Sequence, residues 1–193
     1  MWWQPSPEKR FRRDKYADYF QCLDRNDNGV LDRSDFGAYA GAIAEILRLD
    51  AEDPSLSRLH EATRALWSTL AGTMDEDGDG VIRLEELVGA LATAELEMTK
   101  SGAIPAWAAD FVMAAFRVLD VDGDGTISLQ EYAAYLEAMG SEADAEEVFA
   151  LLDGDGDGVL SLQEVEEHFR DWLAAGTAAA PGNRLLTGRT PRD

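Results

Sequence analysis

Residues 153–164 read DGDGDGVLSLQE, a stretch that no packed helix or strand interior explains. Asp153, Asp155 and Asp157 stand two apart, Gly158 follows, and Glu164 closes a window of twelve. Aspartate and glycine are poor residues inside either regular structure. The spacing does suit a chain bent around a hard cation. An ion the size of calcium takes six to eight oxygens at about 2.3–2.6 Å. Alternate residues can deliver side-chain oxygens, and a glycine then permits the sharp turn. The Val159 carbonyl adds the next oxygen, Ser161 can hold a water, and Glu164 closes the site with both carboxylate oxygens.

The window recurs three times, and a fourfold repeat constrains the fold more than any other feature of the chain. Residues 120–131 place Asp120, Asp122, Asp124, Thr126, Ser128 and Glu131 in register. Residues 75–86 place Asp75, Asp77, Asp79, Val81 and Glu86, and residues 24–35 place Asp24, Asn26, Asn28, Val30, Asp32 and Asp35. This is the spacing of the EF-hand calcium loop. The eighth place is aliphatic each time, as Leu31, Ile82, Ile127 and Leu160.

The flanks carry helical periodicity. Ahead of Asp24 stand Tyr16, Tyr19, Phe20 and Leu23, and ahead of Asp75 stand Trp67, Leu70, Ala71 and Met74. Val112, Ala115, Phe116 and Leu119 precede Asp120, and Ala145, Val148, Phe149 and Leu152 precede Asp153. Apolar stripes follow the first three loops, as in Phe36, Tyr39, Ala40 and Ile43. The expected fold is all-α, with four helix–loop–helix units in two pairs forming one compact molecule. Short β bridges should join Leu31 to Ile82 and Ile127 to Leu160.

The pattern sets the boundaries. Residues 1–98 are expected to form the first pair, 99–176 the second, and 177–193 a tail. The first pair is widened by LDAEDPSLSRL (49–59), with Pro54 and two candidate helix caps, Ser55 and Ser57. Between the pairs, EMTKSGAIPAW (97–107) is broken by Gly102 and Pro105, which argues against one long connecting helix.

The net charge of −21 is explained largely by the loops, and 46% hydrophobic content supplies a core. Four bound calcium ions would leave about −13. Metal should therefore relieve repulsion and stabilise the fold. Such acidity argues against nucleic acid as a partner. Cys22 is the single cysteine and is read as a buried or half-buried thiol. No signal peptide or membrane span is legible, so a soluble, monomeric protein of the cytoplasm is expected.

With these features the chain resembles the sarcoplasmic calcium-binding proteins, particularly bacterial calerythrin-like members. The resemblance rests on length, the widened first pair, the kinked linker, Asp35 closing the first loop, and APGNRLL (180–186) in the tail. It implies a compact four-hand protein with calcium in its loops. Members commonly have a degenerate second loop, and the ligand types here do not follow them. Arg184 stands where that group usually has an apolar residue, which predicts looser docking of the tail.

The third and fourth loops carry full ligand sets and should bind calcium most tightly. The second has Arg83 at the ninth place, which cannot ligate. The first has two asparagines and the shorter Asp35, which favours fewer ligands and tolerance of Mg2+. The chain has five methionines, and its apolar faces rely on aromatic residues and leucine, which favours a calcium buffer or storage protein. A sensor exposing an apolar surface to a protein target is the alternative. A remote third reading is a luciferin-binding photoprotein, because His168 and Trp172 lie four apart on the last helix. Both positions are in register with core-facing residues of the other hands, so packing is the preferred explanation. KRFRRDK (9–15) reads as a solvated basic face, and Trp2 and Trp3 as groups that could dock on a groove. No nucleophile–base set, zinc constellation or phosphate loop is present, so no catalysis is expected.

Overall fold

The computed structural model describes residues 6–189, and Trp2 and Trp3 lie outside them. The helices are α1 Pro7–Leu23, α2 Arg33–Ile46, α3 Pro54–Met74, α4 Leu84–Ser101, α5 Ala106–Leu119, α6 Leu129–Ala138, α7 Ala145–Leu152 and α8 Leu162–Ala174. Two short strands, β1 Ile127–Ser128 and β2 Val159–Leu160, lie inside loops, and a 3-10 turn spans Pro181–Arg184. Each repeat window therefore sits between consecutive helices, giving four helix–loop–helix units.

The local reasons are the expected ones. All four windows open with an aspartate whose amide still bonds the helix behind it, as in Asp24 to the Phe20 carbonyl at 2.9 Å and Asp120 to Phe116 at 2.8 Å. In three windows the ninth and twelfth residues also cap the next helix. Asp32 with Asp35, Ser128 with Glu131 and Ser161 with Glu164 form reciprocal capping boxes. The residues that close a loop thus start the helix that carries the closing carboxylate.

The loops pair as the eighth residues predict. Ile127 opposes Leu160 in an antiparallel ladder, and Leu31 forms an isolated bridge with Ile82. Both bonds of that bridge are 2.8 Å. All four aliphatic side chains are buried and pin the loops to the core below.

The two pairs pack on each other through α3 against α5, α2 against α6 and α4 against α8. Tyr39 and Tyr135, on the exit helices of the first and third hands, meet edge to face with centroids 6.1 Å apart. The linker bends as expected. Gly102 ends α4 with φ 76°, where a Cβ would be strained, and α4 and α5 meet at 116°.

Three expectations need correction. The widened segment is capped by Asp53, whose carboxylate accepts from the Ser55 amide at 2.8 Å, and not by Ser55 or Ser57. Pro54 occupies the first helical position, so the residue before it must cap.

The basic stretch is not simply a solvated face. Lys15 is 2% exposed, and its ammonium donates to the carbonyls of Trp172 and Ala175 and to Asn183 Oδ1. Burial, then the charge of Arg12, pulls its pKa down to about 7. Arg12 pairs with Glu95 at 2.9 Å and also reaches the Ala174 carbonyl.

The tail docks firmly despite Arg184. Asn183, Leu185 and Leu186 are buried. Tyr132 donates to the Leu185 carbonyl at 3.0 Å, Tyr135 to Leu186 at 2.6 Å and Ser141 to Thr187 at 2.8 Å. Gly182 lies so close to α8 that an added Cβ would overlap the His168 carbonyl. Arg184 turns outward to Glu147 at 2.7 Å, which leaves Leu185 and Leu186 to fill the core.

Candidate metal centres

Three loops gather carboxylates into one place. Oxygens of Asp75, Asp77 and Glu86 lie within 4.8 Å of one another, as do those of Asp120, Asp122 and Glu131, and of Asp153, Asp155 and Glu164. The loop backbone holds like charges together. Asp153 accepts from Gly156 and Gly158 at 2.8 and 3.0 Å, and Asp157 from Val159 at 3.0 Å. Glu164 Oε1 accepts from Gly154 and Oε2 from Ser161, at 2.9 and 2.8 Å. Burial pushes the Glu164 carboxyl up, but the Ser161 and Gly154 donors outweigh it, and the group lies below the usual carboxylate range.

The third loop repeats this geometry with one informative difference. Glu131 bonds the Val121 and Ser128 amides at 2.8 Å each, and Asp120 Oδ2 accepts from Gly125 at 3.1 Å. Asp120 Oδ1 is buried and accepts no hydrogen bond. Burial holds the Asp120 carboxyl above its ordinary range. A buried, unpartnered carboxylate oxygen is costly unless something positive meets it. It belongs to a carboxylate aimed into a set of hard oxygens, and a divalent cation of the calcium type fits that set.

In the second loop Arg83 does more than fail to ligate. Its guanidinium pairs with Asp79 at 2.7 Å and Asp77 at 3.5 Å, so it lies across two residues of the expected ligand set. The Arg83 hydrogen bond holds the Asp79 carboxyl below its ordinary range. Sequence reasoning missed this pairing. The available signal was an arginine four places after Asp79 in a loop that folds back on itself.

The first loop is built with shorter reach. Asp35 is buried, and its oxygens accept from Arg25, Asn26 and Asp32 at 3.0, 3.0 and 2.9 Å. Asn26 donates its side-chain amide to Asp35, and Asp32 turns to the Ser34 amide and hydroxyl, both at 2.6 Å. Those Ser34 bonds lower the Asp32 carboxyl. Asp24 and Asn28 retain the turn pattern of the other loops. Ser161, expected to hold a water, and Ser128 in the same register donate their hydroxyls to Glu164 and Glu131 at 2.8 and 2.7 Å.

Trp172 is 1% exposed among Tyr16, Tyr19 and Phe169, whereas His168 Nε2 meets the Leu152 carbonyl at 2.9 Å.

Comparison with known proteins agrees with this architecture. The family model for an EF-hand domain pair matches residues 109–170, and a model for a single EF hand matches residues 17–38. Calerythrin of Saccharopolyspora erythraea is 31% identical over 137 residues, covering 70% of this chain and 77% of that protein. The solved structure of a Streptomyces coelicolor calcium-binding protein is 33% identical, with TM-score 0.65, covering 84% of this chain and 98% of that one. The coelenterazine-binding protein of Renilla muelleri superposes with TM-score 0.73 at 21% identity over 95% of this chain and 98% of that one, a likeness of fold alone. The fold and loops define a calcium-binding EF-hand protein. Within that class the chain belongs to the calerythrin and sarcoplasmic calcium-binding protein family.

Proposed function

We propose that this protein is a calcium buffer, acting as a monomer in the cytoplasm and without catalytic activity. The observation that carries the reading is the closed apolar seam between its two halves. Tyr19, Phe36, Tyr39, Phe116 and Tyr135 line that seam, Leu185 and Leu186 of the tail complete it, and the space left is 40 Å³. A sensor needs a groove that a target helix can enter. Here the protein's own residues occupy the corresponding space, and the Tyr135 hydroxyl donates to the Leu186 carbonyl of the tail.

The same volume weighs against a luciferin. Ligand pockets run to about 300–1,000 Å³. The position of His168, turned to the Leu152 carbonyl, supports packing as its role.

For the ions, the reading assigns calcium to the loops at 120–131 and 153–164 with highest affinity. Residues 75–86 follow, weakened by Arg83. Residues 24–35 bind through Asp24, Asn26, Asn28, Val30, Asp32 and Asp35, with Mg2+ tolerated. The two pairs, 1–98 and 99–176, share the work, and the described part of the tail, 177–189 of 177–193, acts as the cover.

A regulatory reading has one specific support. The Streptomyces coelicolor relative is described as acting in prokaryotic calcium-mediated regulation. For this chain that would require calcium to lift the tail. Titration with calcium in a magnesium background, followed with a hydrophobic dye, separates the two. Tight binding without dye uptake supports the buffer, and dye uptake in the calcium form overturns it.

A further inference from the structure

Arg58 belongs to the segment that widens the first pair, yet it touches a calcium loop of the second. Its Nη2 donates to Ser55 Oγ at 3.0 Å and to the Asp122 carbonyl at 2.7 Å. Its side chain also lies over Gly123, with Nε 3.1 Å and Cδ 3.3 Å from where a Cβ would stand. Asp122 and Gly123 are the third and fourth residues of the loop at 120–131. The corresponding fourth-place glycines, Gly78 and Gly156, have nothing within 4 Å on that side.

We infer that Arg58 is a positioning residue by which the first half presets the third calcium loop for its ion. The inference rests on reading 120–131 as a calcium site. The physical problem at that site is self-repulsion. Before metal arrives, Asp120, Asp122, Asp124 and Glu131 crowd together, and the loop gains by relaxing outward. Fixing the peptide that joins Asp122 to Gly123 opposes that relaxation at the point where the chain turns. A planar guanidinium suits the task, because it can bond Ser55 and the loop carbonyl together. The anchor is itself secured, since Ser55 is buried in the first turn of α3.

Arg58 also brings a positive charge toward a cation site, which acts in the opposite direction. If repulsion dominated, removing the charge would tighten binding. If positioning dominates, removing it weakens binding. The carbonyl bond is short but solvent-exposed, so the expected loss is about three- to tenfold in affinity.

The test uses Arg58→Met in the full chain, which keeps an apolar side chain over Gly123 and removes every donor. In the calcium-free protein, amide exchange should speed about threefold or more across residues 120–126 and stay unchanged across 153–159. In calcium titrations the variant should lose about three- to tenfold at one site, and the loss should vanish when Glu131→Gln has already disabled that loop. Tighter or unchanged binding, unchanged exchange, or an equal loss in the Glu131→Gln background each overturn the clamp. If Glu131→Gln alone removes no binding step, the site itself is misread and the clamp falls with it.

Discussion

The closing carboxylates of the first and third loops, the inner pair, are buried more deeply than those of the second and fourth, the outer pair. Asp35 and Glu131 are 1% and 8% exposed, whereas Glu86 and Glu164 are only half-buried. An arginine crosses the seam at each inner loop. Arg25, the second residue of the first loop, donates to the Ala138 carbonyl at 2.6 Å, and Arg58 reaches the third loop from the opposite half. The arginine of the second loop, Arg83, turns back on its own carboxylates. Four windows of nearly one pattern therefore sit in two environments. The geometry of the outer sites depends on hydrogen bonds within the loop, and that of the inner sites also depends on how the halves pack.

The strongest way to break this distinction is to disable one loop of each kind. Glu131→Gln and Glu164→Gln should each cost about a hundredfold in affinity at the altered loop, measured by calorimetry, because each removes a charged closing ligand. Only Glu131→Gln should also speed amide exchange in α3 across the seam. Equal exchange in the two variants would show the inner loop to be no more tied to the packing than the outer one.

Next in size is the seam itself, through a residue on neither kind of loop. Lys15→Met leaves three buried oxygens without their donor and should cost about 1–3 kcal/mol in chemical denaturation. The pH dependence carries a sign. The folded pKa of about 7 lies below the ordinary 10.5, so the unfolded chain binds more protons between those values. The wild type should therefore gain stability relative to Lys15→Met as pH rises from about 7 toward 10.5. Parallel pH profiles for the two proteins would remove Lys15 from the account.

Arg83→Ser gives the second loop the ninth residue of the third and fourth. Calcium affinity there should rise about three- to tenfold, more so at low salt, with no change at the seam. A fall in affinity would mean that Arg83 organises Asp77 and Asp79 rather than competing for them. The smallest effect is expected for Arg25→Met, a loss of about 1 kcal/mol in the calcium-free protein with little change in outer-site affinity.

What was legible in the sequence follows from distance along the chain. The windows, the helical stripes around them and the Leu31–Ile82 and Ile127–Leu160 pairings are set by local spacing, and all could be read directly. The kink at Gly102 and Pro105 is likewise local. The seam was not legible. Nothing in the neighbourhood of Lys15 announces that its ammonium will end among carbonyls of α8, because that depends on where the last helix stops. Arg58 looks like any surface arginine until the second pair folds against it. Arg184 misled for the same reason, since its departure from an apolar residue mattered less than the Leu185 and Leu186 that follow. Asp53 is a local feature, but two serines beyond Pro54 carry the same capping chemistry, and only the proline at the first helical position decides for the residue in front of it.

The docked tail has a consequence for how the molecule comes into being. Residues 181–189 are synthesised after all four loops and eight helices, yet they supply Leu185 and Leu186 to the seam and Asn183 to Lys15. Each hand can wind as it leaves the ribosome, but the apolar surface around Tyr132, Tyr135 and Trp172 stays open until those last residues arrive. A released chain lacking everything from Pro181 onward would present that surface to chaperones and to other chains.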